Sequence, residues 1–216
     1  MEIFIDSTNL EEIKEMVDLG IVDGCTTNPK MFSKESISEF EDRVKEILKI
    51  VNGPVSVQVT SRIVEEMVQQ ALIYSSWGKN VVVKVPGLPE GFKALNILKQ
   101  KGVKVNVTSC VTVGQALVSA KCNADYCSLL IGRIEDIGQD GFEVIKQSVN
   151  ILNNNGFKTK IIVGSIRNVN HVIKSAMAGA HVITVPYKIL KEMVEHAKTR
   201  ETVEEFLNAW NINKNK

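Results

Sequence analysis

The stretch VVVKVPGLPEGFKALNILKQKGVKVNVT, residues 81–108, decides the fold. Two β-branched runs, VVVKVP (81–86) and VKVNVT (103–108), flank a segment of helical character. Gly102 stands just before the second run, where a left-handed helix C-cap belongs. A strand, a helix and a second strand in that order join two parallel strands.

The unit repeats in both directions. Further strands are read at EIFID (2–6), DGCTT (23–27), VSVQVT (55–60), YCSLLI (126–131), KIIVGS (160–165) and HVITVP (181–186), which makes eight. They are nearly continuous apolar runs, the pattern of parallel strands covered by helices. Between them, 40–51 places Phe40, Val44, Ile47, Leu48 and Val51 on one helical face, and 142–152 does the same with Val144, Ile145, Val149 and Leu152. Gly20, Gly156 and Gly179 resemble Gly102 as helix ends. Met67, Met177 and Met193 are expected to fill gaps between helices and sheet. Eight β-α units predict an α/β fold, a single closed (β/α)8 TIM barrel spanning 1–216. A doubly wound open sheet is the alternative, weakened because no G-x-G-x-x-G follows the first strand. The tail adds a C-terminal helix at about 201–212, with Val203, Phe206, Leu207 and Trp210 on one face. That face packs either on its own chain or on a neighbour.

Composition narrows the function. The 216 residues carry 26 Lys+Arg and 25 Asp+Glu, a net charge of +1, so no basic excess points to nucleic acid or an anionic membrane. No stretch of about 18 uncharged apolar residues exists to span a bilayer. The N-terminus lacks the basic and apolar regions of a signal peptide. Cys25, Cys110, Cys122 and Cys127 form no C-x-x-C pair, which fits free thiols in the cytoplasm. His171, His181 and His196 are too widely spaced for a metal site, and the acidic run 136–141 lacks the ligands of a calcium loop.

In a (β/α)8 barrel, chemistry is built where the strands end. Those ends carry Asp6, the run Thr26-Thr27-Asn28, Gln58 with Thr60, Lys84, Asn106 with Thr108, Ser128 followed by Arg133, Ser165 followed by Arg167, and Thr184. Stability alone does not call for so many polar groups on one rim. Lys84, set among Val81, Val82, Val83 and Val85, has two readings. It either snorkels to water or faces the lumen as an amine that forms a Schiff base with a carbonyl. An ordinary lysine is neutral about once in 2,500 at pH 7, a penalty of about 4.6 kcal/mol on the nucleophilic form, and apolar surroundings remove part of it. Asp6 is either its proton-transfer partner or, with Ser7 or Thr8, a cap for a helix starting near Asn9. Arg133, Ser165 and Arg167 read as ligands for an anion; the alternative is that each arginine is a solvated surface group.

Together, FIDS (4–7), DGCTTNP (23–29), GPVSVQV (53–59), VVVKVP (81–86), NVT (106–108), GRIEDIG (132–138), GSIRN (164–168) and HVITVPYKIL (181–190) resemble the small transaldolase family, which includes the fructose-6-phosphate aldolases. The resemblance implies a (β/α)8 barrel, imine chemistry with no metal or cofactor, sugar-phosphate substrates and dihydroxyacetone as the transferred group. It implies homo-oligomers, pentamers stacking into decamers that exchange C-terminal helices. By position, it makes Lys84 the Schiff-base lysine and Asp6 the acid/base that takes the hydroxyl proton as the C3–C4 bond breaks. Asn28 and Asn106, helped by Thr27, Ser128 and Ser165, would hold the dihydroxyacetone unit. Thr108 and Gln58 would fix a proton-relaying water, and Arg133 and Arg167 would bind the phosphate.

Some positions depart from the family pattern. Transaldolases of the family usually carry Glu where this chain has Gln58, and its aldolases carry Gln. Leu130 stands where the aldolases place Tyr and the transaldolases Phe. The runs at 87–88, 109–111 and 129–130 also differ. The expected function is therefore transaldolase-type transfer from a ketose phosphate to an aldose phosphate. The alternatives are an aldolase that releases free dihydroxyacetone, a barrel that binds sugar phosphates without turnover, and a substrate bearing an anion other than phosphate.

Overall fold

The computed structural model describes residues 1–33 and 36–214; positions 34–35 and 215–216, the last two of the expected domain, lie outside the described residues. Eight strands form one closed parallel barrel in sequence order. They are β1 (Glu2–Asp6), β2 (Gly24–Thr26), β3 (Val55–Gln58), β4 (Val81–Pro86), β5 (Val105–Cys110), β6 (Tyr126–Leu130), β7 (Lys160–Gly164) and β8 (Val182–Pro186). The barrel closes where β8 pairs with β1, from Glu2 opposite Val182 to Asp6 opposite Pro186. The helices are α1 (Leu10–Asp18), α2 (Ile37–Ile50), α3 (Val64–Ser76), α4 (Pro89–Gln100), α5 (Val113–Lys121), α6 (Ile131–Asp136), α7 (Gly141–Asn154), α8 (Val169–Met177), α9 (Tyr187–Val194) and α10 (Ala197–Lys214).

Strand parity sorts the side chains. Odd-numbered residues such as Ile5, Cys25, Val57, Val83, Val85, Val107, Leu129, Val163 and Ile183 point outward and form the main core with the helices. Even-numbered residues point into the lumen. At its lower end Phe4, Ile162 and Val182 make a separate apolar plug, with Tyr126 packed against it. At its upper end the even positions are mostly polar, with Leu130 and Gly164 among the exceptions, and the site stands on that plug.

Several expectations shift. The first helix is capped by Asn9, whose side chain accepts from the Glu11 and Glu12 amides, and not by Asp6, Ser7 or Thr8. Asp6 is thereby free for the lumen. Met67 is fully buried, but Met177 is 81% exposed and Met193 38%, so those two fill no gap. Gly20, Gly102, Gly156 and Gly179 all end their helices at positive φ. An extra short helix, α6, follows β6 before α7 begins. The C-terminal helix is longer than expected, starting at Ala197, and Phe206, Leu207 and Trp210 are more than half exposed.

Candidate active site

Lys84 comes fourth in β4, and its even position turns it into the lumen. Its side chain is buried and its Nζ donates to the Thr27 carbonyl at 2.9 Å. Burial pushes its pKa below the ordinary 10.5, while the Asp6 carboxylate nearby opposes the shift. Asp6 ends β1. Burial raises its pKa, opposed by the Lys84 charge and by a 2.7 Å hydrogen bond from the Thr26 hydroxyl. The Thr26 and Thr184 hydroxyls lie 2.6 Å apart, which ties β1, β2 and β8 together beneath the carboxylate. Amine and acid are thus both driven toward their neutral forms, so the amine gains nucleophilic character and the acid becomes able to carry a proton at higher pH. Cys25, wholly buried behind them, has its thiol pushed up to about 12 by burial and by Asp6, and it takes no charge at neutral pH.

Above these groups lies a cavity of about 410 Å³. Asp6, Asn28, Gln58, Lys84, Thr108, Ser128, Arg133 and Ser165 all line it. Three other residues expected at the site do not. Thr27 gives its hydroxyl to the Ser56 carbonyl, and only its own carbonyl serves the site, through Lys84. Asn106 is fully buried beneath the floor, donating to the Ser56 hydroxyl at 3.4 Å and accepting from Ser128 at 2.8 Å. Arg167 is drawn aside, with its Nη2 on Asp136 at 2.7 Å.

Sequence reasoning placed Thr26 and Thr184 on the rim without giving them a role and passed over Ser56, although each shares the lumen parity of Asp6 and Lys84. It also passed over Lys30 and Ser109, which line the cavity, and Asp136. Asp136 was legible as a charge partner, since it follows Arg133 by three residues on one helix. Ser109 and Ser165 adopt φ of 61° and 59°, strained values for non-glycine residues, at the ends of β5 and β7. Gly132 permits this crowding. A Cβ there would lie 2.6 Å from Arg167 Nε, 2.7 Å from the Ser165 carbonyl oxygen and 2.8 Å from its hydroxyl.

A buried amine on the fourth strand of a parallel barrel, sharing its lumen with an acid on the first, is the equipment of an imine-forming enzyme that makes or breaks carbon–carbon bonds beside a carbonyl. The comparisons with known proteins agree with that class. The sequence model of the transaldolase/fructose-6-phosphate aldolase family matches residues 3–216, and the chain belongs to this family. It is 46% identical over 212 residues to a probable transaldolase of Thermoplasma volcanium, covering 97% of this chain and 95% of that protein. It is 44% identical to a probable transaldolase of Geobacillus thermodenitrificans (98% and 99% covered) and 46% identical to one of Caldicellulosiruptor saccharolyticus (97% of each).

Proposed function

We propose that the protein is a transaldolase that moves a dihydroxyacetone unit from a ketose phosphate, such as fructose 6-phosphate, to an aldose phosphate. The observation that carries the reading is the buried Lys84 amine, with its lowered pKa, in the lumen it shares with Asp6. The neutral amine adds to the C2 carbonyl and water leaves, giving an iminium. Asp6 then takes the C4 hydroxyl proton as the C3–C4 bond breaks, and the bonding pair moves into an enamine. The aldose departs with the C4 aldehyde. The enamine attacks a second aldehyde, Asp6 returns the proton, and water hydrolyses the new imine to free Lys84.

In this reading Asn28, Ser128 and Ser165 hold the hydroxyls of the bound unit from the cavity wall, and Asn106 orients Ser128 from below. Thr108 and Gln58 hold the relay water. Arg133 and Arg167 take the phosphate. Gln58 favours a second reading, an aldolase, because a neutral amide relays protons differently from a carboxylate.

Borohydride treatment with fructose 6-phosphate tests the chemistry. A reduced dihydroxyacetone adduct on Lys84, found by peptide mass spectrometry and lost in Lys84→Met, is expected; an adduct elsewhere or none refutes it. Free dihydroxyacetone released without an acceptor aldehyde would favour the aldolase.

We also propose a homo-oligomer, a pentamer or decamer, in the cytoplasm. The exposed Val203, Phe206, Leu207 and Trp210 of α10 support the assembly, and four unpaired cysteines fit a reducing compartment. Light scattering should give a five- or ten-subunit mass that falls in Phe206→Asp; a wild-type monomer refutes it.

A further inference from the structure

The two arginines beside the cavity are already engaged. Arg167 donates from Nη2 to Asp136 Oδ2 at 2.7 Å, and Arg133 Nη1 lies 3.5 Å from the same oxygen. The neighbouring carboxylate, Glu135, is held elsewhere by the buried His171, whose Nε2 is 3.2 Å away. Asp136 is the carboxylate hydrogen-bonded to both guanidinium groups, and Glu135 adds a weaker charge interaction with Arg167. Arg133 still reaches the cavity wall, but Arg167 is absent from it among the described residues. Arg167 nonetheless stays beside the site, since its Nε packs against Gly132 next to Ser165, where a Cβ would lie 2.6 Å from it.

We infer that Asp136 is the resting counter-ion of the anion subsite, which the phosphate of an incoming sugar must displace from Arg167 before that arginine can bind it. The inference rests on the proposed function both for the sugar and for the placing of its phosphate at Arg133 and Arg167. A phosphate monoester at neutral pH carries about −1.5 to −2 charges and three acceptor oxygens. It can satisfy both planar guanidinium forks, whereas one Asp136 oxygen serves them unevenly. While Asp136 holds Arg167, the apparent affinity for phosphate is reduced by the fraction of molecules in which Arg167 is free. An exposed ion pair of this kind shifts such an equilibrium only about 1.5- to 5-fold. Asp136 thus sets the affinity of the subsite, keeping it below what the two arginines alone would give. It is a positioning residue and takes no part in bond making.

The test is Asp136→Asn, which keeps the shape and removes the charge. Inorganic phosphate is titrated into wild type and variant by calorimetry, and KM is measured for fructose 6-phosphate and for unphosphorylated fructose. The expected result is a phosphate Kd and a fructose 6-phosphate KM both lower by about 1.5- to 5-fold in the variant, with the preference for the phosphorylated ketose over fructose raised by the same factor. Structural damage weakens binding and does not tighten it. A Kd that rises or stays the same overturns the inference and makes Asp136 a brace that aims the arginines. Absence of any adduct on Lys84 would defeat the transaldolase reading instead, and the phosphate titration would still decide the role of Asp136.

Discussion

Replacing Gly132 with alanine should disable the anion subsite while leaving the amine and its acid in place. A Cβ at position 132 would meet the Ser165 carbonyl oxygen at 2.7 Å and Arg167 Nε at 2.6 Å. Restoring an ordinary contact of 3.4 Å moves the first by about 0.7 Å and the second by about 0.8 Å. The arginine can swing, but the carbonyl belongs to a backbone already at φ 59°, so the turn after β7 must shift as a unit. Overpacking of this kind costs about 1–3 kcal/mol. For a chain near 200 residues that lowers Tm by about 2 to 12 °C. A displacement approaching 1 Å at a binding group costs up to about 100-fold, and since the flexible arginine recovers part of it, KM for fructose 6-phosphate should rise by about 10-fold. Lys84 and Asp6 sit on β4 and β1, away from position 132, but Ser165, proposed to hold the dihydroxyacetone unit of either donor, moves with the turn, so turnover of unphosphorylated fructose should fall as well, by less than that of fructose 6-phosphate. Scanning calorimetry and steady-state kinetics on both donors decide the matter. The sign is opposite to that expected for Asp136→Asn, so the two variants separate crowding from charge. If Gly132→Ala melts like wild type, or loses equal activity on both donors, the assigned packing of α6 against the β7–α8 turn is wrong.

Two further outcomes follow from the electrostatics of the lumen. Burial lowers the Lys84 pKa and Asp6 opposes the shift, so the rate of borohydride trapping should rise with pH and level off below pH 10.5. Asp6→Asn removes the charge that favours the ammonium, so the half-rise should move to lower pH; a move to higher pH would contradict the coupling. Among the cysteines, Cys25, Cys110 and Cys127 are buried and Cys122 is half-buried. Iodoacetamide at pH 8 should therefore label Cys122 first in the folded protein and all four thiols after denaturation. Early labelling of Cys25, whose thiol is pushed up to about 12, would contradict its placement behind Asp6.

Much of the barrel is legible because its signal is local and periodic. The strand runs and the glycine stops are properties of short windows, and they recover all eight strands. What escapes depends on contacts distant in sequence. β3 stops at Gln58, short of the apparent run to Thr60, because the Gln70 side chain takes the Thr60 amide at 2.9 Å in place of a ladder partner. β5 runs on to Cys110 through a bulge between Val107 and Cys110, which the positive φ of Ser109 accompanies. No propensity announces such a value at a serine. The diversion of Arg167 is hidden for the same reason, since its partner lies 31 positions earlier. The exposure of Met177 on α8 depends on which face of that helix meets the barrel, and that face is fixed by His171, Val172 and Ser175.

The direction of Lys84 is settled by its neighbours more than by the lysine itself. A one-residue slip of β4 would carry the amine into the helix layer and bring a valine into the lumen. In the observed register Val81, Val83 and Val85 are at most 4% exposed against the helices. Each fully buried valine contributes about 1.5–3 kcal/mol relative to exposure, which offsets the several kcal/mol that one enclosed ammonium costs. That cost is reduced further because the amine finds the Thr27 carbonyl and the Asp6 charge, and because it can give up its proton. The apolar odd positions thus hold the lysine where water would not leave it. The same enclosure favours the uncharged amine that an attack on a carbonyl requires, so the packing that stabilises the barrel and the chemistry proposed for its lumen have one physical origin.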